Sequence, residues 1–145
     1  MWRTPKKQSG AGLIEVMVAV LILGIGLLGI AAMQATALKN SQSSLERSQA
    51  VIQSYTILDA MRANRDVALI GGYNLAAMTC NPPDAGTLAG TDLHNWINSL
   101  HATLGATSCG QIICGTELCS ITVRWDDSRG VGGGEEHEVT TETRL

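Results

Sequence analysis

The sequence predicts an α+β fold in which one long N-terminal helix packs on a small C-terminal antiparallel sheet. Three patterns support this prediction. A long apolar run near the N-terminus is followed by residues 38–62, which contain neither proline nor glycine. The chain alternates between apolar and polar residues after Cys119, and clusters of glycine and proline lie between these two regions. The 145 residues suffice for one modest hydrophobic core.

The apolar run occupies residues 16–33. Its 18 residues carry no charged or hydrogen-bonding side chain. As a helix they would span about 27 Å, close to the thickness of the hydrocarbon core of a bilayer. Arg3, Lys6 and Lys7 precede the run, and the first ten residues contain no acid. We therefore expect one membrane-spanning helix with a cytoplasmic N-terminus and an exported C-terminal part.

A secretory signal peptide is the alternative interpretation of this run. The segment Ala35-Thr36-Ala37 fits a cleavage site of the small-x-small type, but the run is longer than the usual apolar region of about 7 to 15 residues. Glu15 stands directly before the run. An ionised carboxylate at membrane depth costs roughly 2.5–3.5 kcal/mol, so Glu15 indicates a function beyond simple export.

Residues 6–40 resemble the class III signal of type IV pilins and the related pseudopilins. A basic leader ends at Gly10, the apolar helix follows, and Glu15 is the fifth residue after that glycine. The resemblance implies that a prepilin peptidase cuts between Gly10 and Ala11 on the cytoplasmic side, and that the new amine of Ala11 is methylated. It also implies that Glu15 acts in assembly. The chain departs from the family at Ala11 and Gly12, where Phe and then Thr or Ser are usual.

The spacing of Ala11 and Glu15 suits a pairing role between subunits. Cleavage would leave an α-amino cation at Ala11, and this cation could neutralise the Glu15 carboxylate of a neighbouring helix in a medium of low dielectric constant. Gly24, Gly26 and Gly29 interrupt the same helix. They could permit close helix packing or local melting during assembly.

The stretch from Glu15 to Gln34 is most similar to PilV-type minor pilins, also called type IV pilus modification proteins. This resemblance implies a minor pilin that helps to initiate pilus assembly, with roles in twitching motility and adhesion. The implied partners are the prepilin peptidase, other minor pilins, the major pilin and the inner-membrane assembly platform. Minor pseudopilins of type II secretion share the opening Leu13-Ile14-Glu15-Val16, and a signal-anchored periplasmic binding domain is the third interpretation.

These interpretations divide the chain into four parts. Residues 1–10 are the cleaved leader, residues 11–37 the transmembrane half of the helix, residues 38–63 its amphipathic half, and residues 64–145 a globular periplasmic domain. The expected location is the inner membrane, with a single pass, and then the pilus.

The amphipathic half of the helix carries an apolar residue every seven positions, at Leu38, Leu45 and Ile52. Val51, Tyr55, Leu58 and Met61 widen this stripe, while polar residues fill much of the remainder. We expect the stripe to pack against the globular domain.

Further elements follow along the chain. Residues 71–72 and 81–84 mark a connecting region, and Thr91 or Asp92 is the expected cap of a second helix that ends near Leu104. His94 and His101 share one side of this helix, where a solvated polar flank is favoured over a metal site. Cys119 to Trp125 forms a half-buried strand, and residues 135–145 form its hairpin partner after a glycine-rich loop. A short strand at residues 111–114 would join them.

The four cysteines are expected to form two disulfides, since an exported domain of this size gains stability from cross-links. The spacing is not that of a zinc knuckle. The sequence leaves three connectivities open, with a preference for pairing Cys80 with one of the others. The cysteines are Cys80, Cys109, Cys114 and Cys119.

The polar residues do not form a recognisable catalytic or metal-binding motif. Asp126, Asp127, Glu135 and Glu136 flank the glycine-rich loop, and a solvated acidic turn is favoured there over a calcium site. No cofactor or metal is expected. No nucleophile motif indicates an enzyme, and the net charge of −3 disfavours nucleic acid as a partner.

Overall fold

The computed structural model describes residues 10, 12–115 and 118–145. The chain divides into two compact units, Met1–Leu38 and Lys39–Leu145. The described residues form three helices and four strands: α1 (Leu13–Ala63), α2 (Arg65–Leu69), β1 (Leu75–Thr79), α3 (Leu88–Leu104), β2 (Cys109–Cys114), β3 (Cys119–Trp125) and β4 (His137–Thr143). The predicted α+β class, with a long N-terminal helix and a small antiparallel sheet, is confirmed.

The four strands form one antiparallel sheet in the order β1-β2-β3-β4. Strand β3 confirms the predicted alternation, because Ile121, Val123 and Trp125 are at most 1% exposed. Strand β4 alternates between half-buried and exposed residues, as its sequence predicts. The sheet thus turns one face of β3 into the hydrophobic core.

The core of the second unit lies between the C-terminal part of α1, helix α3 and the sheet. Trp96 of α3 is buried, and its indole Nε1 donates a hydrogen bond to the carbonyl of Gln53 at 2.9 Å. The ring of Trp96 also packs so closely on Gly110 of β2 that a β-carbon at that position would overlap it. Glycine at position 110 therefore sets the spacing between α3 and the sheet.

Most of the apolar stripe that we predicted on α1 faces outward, and the rest of the second unit covers the other side of the helix. Leu45, Ile52 and Tyr55 are each more than half exposed, and Leu38 and Val51 are exposed as well. Of the predicted stripe, only Leu58 and Met61 belong to the core. The residues of α1 that are buried instead are Glu46, Ala50, Gln53, Ser54, Ile57, Leu58 and Met61.

Side-chain size and hydrogen bonding explain the reversal. Ala50 and Ser54 are small enough for the rest of the unit to approach the helix closely, and both are fully buried. The hydroxyl of Ser54 donates to the carbonyl of Ala50, and Gln53 Nε2 donates to Ser99 Oγ at 2.8 Å. These two donors are satisfied within the chain, so the helix can bury a partly polar face and leave Leu45 and Ile52 outside.

A pair of isoleucines on α1 tests this assignment. Ile57→Ala should lower the free energy of unfolding by about 2–5 kcal/mol, because it leaves a cavity in the core. Ile52→Ala should change it by no more than about 0.5 kcal/mol, because the side chain is exposed. Denaturation of the full chain in detergent micelles, followed by tryptophan fluorescence, measures both values. Equal losses for the two variants would contradict the assignment.

The connecting region holds two elements that we did not predict, the short helix α2 and strand β1. Between them, Tyr73 is fully buried. Its hydroxyl donates to Asp92 Oδ2 at 2.5 Å and accepts from Asn64 Nδ2 at 3.3 Å. Burial raises the pKa of Tyr73, and the hydrogen bond to Asp92 adds to the effect. The tyrosine thereby ties the end of α1 to α3.

The predicted N-cap of α3 is wrong. The helix begins at Leu88, and its cap is Thr87, whose hydroxyl accepts from the backbone N–H of Gly90 at 3.0 Å. Thr91 and Asp92 lie inside the helix. A β-carbon at Gly90 would overlap the carbonyl oxygen of Asp84. Glycine at position 90 therefore allows the backbone at Asp84, which follows Pro82 and Pro83, to run close to the first turn of α3.

Two disulfides cross-link the second unit. Cys80–Cys109 joins the segment after β1 to the start of β2, at positions 29 residues apart. Cys114–Cys119 closes the hairpin of β2 and β3, where the two residues are register partners. Of the three connectivities that the sequence left open, the structure has the one with a long-range and a local disulfide.

Candidate processing and assembly site

Gly10 lies before the first helix and is exposed. Among the described residues, a β-carbon built at Gly10 or Gly12 would meet no atom within 4 Å. No contact with these residues therefore requires glycine at either position. Ala11, the predicted first residue after cleavage and the predicted methylation site, lies outside the described residues.

Helix α1 starts directly after this segment. The carbonyl of Gly12 accepts backbone hydrogen bonds from Glu15 at 3.0 Å and from Val16 at 3.3 Å, which closes the first helical turn. Glu15 is the acid of that turn. A carboxylate at this position interacts favourably with the positive end of the helix dipole.

The side chain of Glu15 is exposed between apolar neighbours. Leu13 is 81% exposed and Ile14 is 76% exposed. Within the described part of the chain, the carboxylate of Glu15 has no hydrogen-bond or ion-pair partner. In an apolar environment its charge would require a partner from another molecule.

The apolar run that follows is exposed along its whole length. Every residue from 12 to 38 is exposed. The helix Leu13–Ala63 is long and apolar enough near its N-terminus to cross a membrane, a property that it shares with signal sequences. Gly24, Gly26 and Gly29 have open space where a side chain would be, so no contact within the described chain requires glycine at these positions.

A second cluster of polar residues joins the part of α1 in the second unit to the loop between β3 and β4. The Ser43 hydroxyl donates to Asp127 Oδ2 at 2.6 Å. Arg129 Nη2 lies 3.5 Å from Glu46 Oε1. Asp127 is only 2% exposed, so the expectation of a fully solvated acidic turn is wrong at this residue.

The glycines of this loop explain how Asp127 is enclosed. A β-carbon at Gly133 would overlap the carbonyl oxygen of Asp127. The backbone N–H of Gly130 donates to the same oxygen at 2.9 Å, and the N–H of Asp127 donates to Gly134. The loop therefore folds tightly around one carboxylate and directs it toward helix α1.

The other acids of the loop do not converge on a common point. Asp126 Oδ1 accepts from the backbone N–H of Ser128 at 2.9 Å, and its hydrogen bonds with Ser128 lower the pKa of the Asp126 carboxyl. Glu136 pairs with Arg124 at 3.2 Å. Among the described residues, no group of three or more histidine, cysteine, aspartate or glutamate side chains could hold a metal ion.

The two histidines of α3 each bind a backbone carbonyl. His94 Nδ1 lies 2.8 Å from the oxygen of Pro83, and His101 Nε2 lies 3.1 Å from that of Ser108. Both rings are half-buried. They fix the segments that enter and leave the helix, which is a structural role that the sequence spacing alone did not indicate.

The structure brings the four cysteines together in pairs but does not bring the N-terminal motif into contact with other functional groups among the described residues.

The sequence analysis did not predict the Ser43–Asp127 and Tyr73–Asp92 hydrogen bonds. Their members lie 84 and 19 residues apart. No local pattern marks such pairs. The run of glycines at residues 132–134, shortly after Asp127, was the one available signal.

Comparison with known proteins identifies the N-terminal segment. Residues 5–31 match the family described as the prokaryotic N-terminal methylation motif. Searches of curated proteins and of solved structures found no significant match to the chain. The matched segment is about a fifth of the sequence, and it contains Gly10, Ala11, Glu15 and the three helix glycines. The motif supports a type IV pilin or pseudopilin, a structural subunit with a membrane-anchoring N-terminal helix.

Proposed function

We propose that this protein is a minor pilin of the type IV pilus, a structural subunit of an initiation or tip complex that primes pilus assembly. The observation that carries the proposal is the methylation motif at residues 5–31, which contains Gly10 and Glu15 at the head of an exposed apolar helix. The proposed partners are the prepilin peptidase, other minor pilins, the major pilin and the inner-membrane assembly platform.

Cleavage after Gly10 changes the charge of the subunit. Three of its ten cationic side chains, Arg3, Lys6 and Lys7, leave with the leader, and the thirteen acids remain. The balance of side-chain charge moves from −3 to −6, and a new amine appears at Ala11. In a bundle of such helices this amine would neutralise the Glu15 carboxylate of a neighbour, because neither charge is stable alone in an apolar surrounding.

The second unit fits an exported, assembled subunit. Both of its disulfides favour an oxidising compartment such as the periplasm. The outer side of α1 keeps Leu45, Ile52 and Tyr55 exposed. A surface of this kind is suited to packing against other subunits. The chain itself catalyses nothing in this proposal, and its covalent chemistry is performed on it by the peptidase and the methylating enzyme.

A minor pseudopilin of a type II secretion system is the second candidate, because the opening Leu13-Ile14-Glu15-Val16 suits both kinds of filament. Deletion of the gene separates the two. Loss of surface pili and of twitching motility, with normal release of secreted enzymes, supports the minor pilin. The reverse pattern supports the pseudopilin.

The N-terminal sequence of the protein recovered from membranes tests the class itself. A methylated Ala11 supports a processed filament subunit of either kind. An N-terminus at Leu38 would indicate a secreted domain released after Ala35-Thr36-Ala37, and an N-terminus at Met1 would indicate an uncleaved anchor. Either of the last two results would overturn the proposal.

A further inference from the structure

The two edges of the sheet differ in how well they are protected. Strand β1 has five residues, its register with β2 is irregular, and the Cys80–Cys109 disulfide and two prolines follow it. Strand β4 has seven residues and pairs with β3 without a break from His137 to Thr143. Irregularity and proline are common means of blocking an edge strand. Of the two edge strands, β1 has them and β4 does not.

The free side of β4 keeps unpaired backbone groups. The strand is last in the sheet order. Within the described parts of the chain, residues 137–143 make no backbone hydrogen bond outside their pairing with β3. Such an edge can accept an additional strand from another polypeptide.

The core is also incomplete at this edge. The residues of β4 are half-buried or exposed, whereas five of the seven residues of β3 are buried. Val139 packs against the core but stays partly exposed. An added strand with an apolar residue beside Val139 would cover it and extend the core by one layer of side chains.

The outward face of β4 determines the charge of such a partner. Glu138 and Glu142 are exposed on this face, with Thr140 between them. Two copies of β4 paired antiparallel about Thr140 would place Glu138 of one copy opposite Glu142 of the other. Like charges directly opposite each other destabilise a pair of strands, so the strand is built against self-pairing.

From these features we propose that β4 is a strand-addition site for an extended segment of another protein. The segment alternates apolar residues, which face the core beside Val139, with lysine or arginine, which face Glu138 and Glu142. Pairing over seven residues corresponds to about 23 Å of strand. The inference uses the second unit alone and does not depend on assignment to the pilus.

Peptide binding to the full chain in lipid nanodiscs tests the proposal. Three labelled peptides are compared by fluorescence anisotropy: Thr-Lys-Val-Thr-Val-Lys-Thr, its counterpart with Glu in place of Lys, and a scrambled Lys-Lys-Val-Val-Thr-Thr-Thr. The alternating basic peptide should bind at least about tenfold more tightly than the other two, which is about 1.4 kcal/mol. Methylation of its alternate backbone nitrogens should abolish binding, because the hydrogen bonds to the edge are then lost.

Charge variants show whether β4 is the site. E138K/E142K should reverse the preference between the basic and the acidic peptide, and E138Q/E142Q should remove it. D66K/D84K makes the same change in net charge as E138K/E142K at residues outside the sheet, and it should retain the preference for the basic peptide. Equal binding of the alternating and scrambled peptides, or an unchanged preference in E138K/E142K, would overturn the proposal.

A single substitution provides a test without any peptide. E142K would place a lysine side chain of one copy opposite Glu138 of the other, so the barrier to self-pairing becomes an attraction. This variant should form dimers by sedimentation analysis at concentrations where the wild type and E138K/E142K remain monomeric. Dimers of all three proteins, or of none, would contradict the assigned role of these acids.

Discussion

The Gly10→Val variant should keep its ten-residue leader. The structure shows no atom near a β-carbon at this position, and helix α1 begins only at Leu13, so the substitution has no folding cost within the described chain. A loss of cleavage would therefore report recognition by the peptidase, which must bring the scissile bond into its own site. We expect no cleaved product, and intact mass spectrometry of the membrane-extracted protein measures this directly.

Gly12→Val is the matched control for this experiment. It adds the same side chain two residues later, where a β-carbon again meets none of the described residues within 4 Å. The hydrogen bonds of Glu15 and Val16 to residue 12 use only its backbone carbonyl, so they remain. Cleavage of Gly12→Val but not of Gly10→Val identifies the site. Normal cleavage of Gly10→Val would exclude Gly10 from the signal.

Glu15→Gln should be processed normally and then fail to enter the filament. The side chain keeps its shape but loses its charge, which leaves the amine of a neighbouring Ala11 without its counter-ion. Removal of one partner from a buried ion pair costs about 3–5 kcal/mol, a factor of roughly a hundred or more in an association constant. Immunoblots of sheared surface filaments, normalised to the amount of processed protein in the membrane, measure the loss.

Glu135→Gln makes the same chemical change on an exposed loop of the second unit. It should assemble as the wild type does, because its carboxylate stays in water. Incorporation of Glu15→Gln at the level of this control would remove the proposed ion pair. Failure of both variants would point to net charge, rather than to Glu15, as the requirement.

The candidate site could be located from sequence because its signal is local. The roles proposed for Gly10, Ala11 and Glu15 depend on their spacing along one segment, and the family comparison covers that same segment. The position of Asp127 could not be predicted, because its partner Ser43 lies on another element. The neighbouring acids led us to predict that Asp127 is exposed to solvent. The glycines that enclose it do so through backbone contacts, which no spacing of residue types in the sequence reveals.

The fold was predictable where the burial of apolar side chains alone determines the sequence pattern. Alternation along β3 reflects burial of one face, so the inward residues Ile121 and Val123 followed from the pattern. Strand β1 was missed because its sequence, residues 75–79, shows no alternation and is held by pairing with Ile112 and Gly110. The heptad spacing on α1 correctly indicated a helix, but spacing cannot show which side of the helix the rest of the chain covers.

The buried and the exposed side of α1 differ in how a mutation affects the protein. A mutation at Ala50 or Ile57 exposes or empties the core, so the unfolded chain becomes a substrate for proteases. A mutation at Leu45 or Ile52 leaves the core intact and escapes that quality control. Variation on the outer side of one helix can therefore adjust association with other molecules while the abundance of the folded subunit stays constant, although both sets of residues occupy the same few turns.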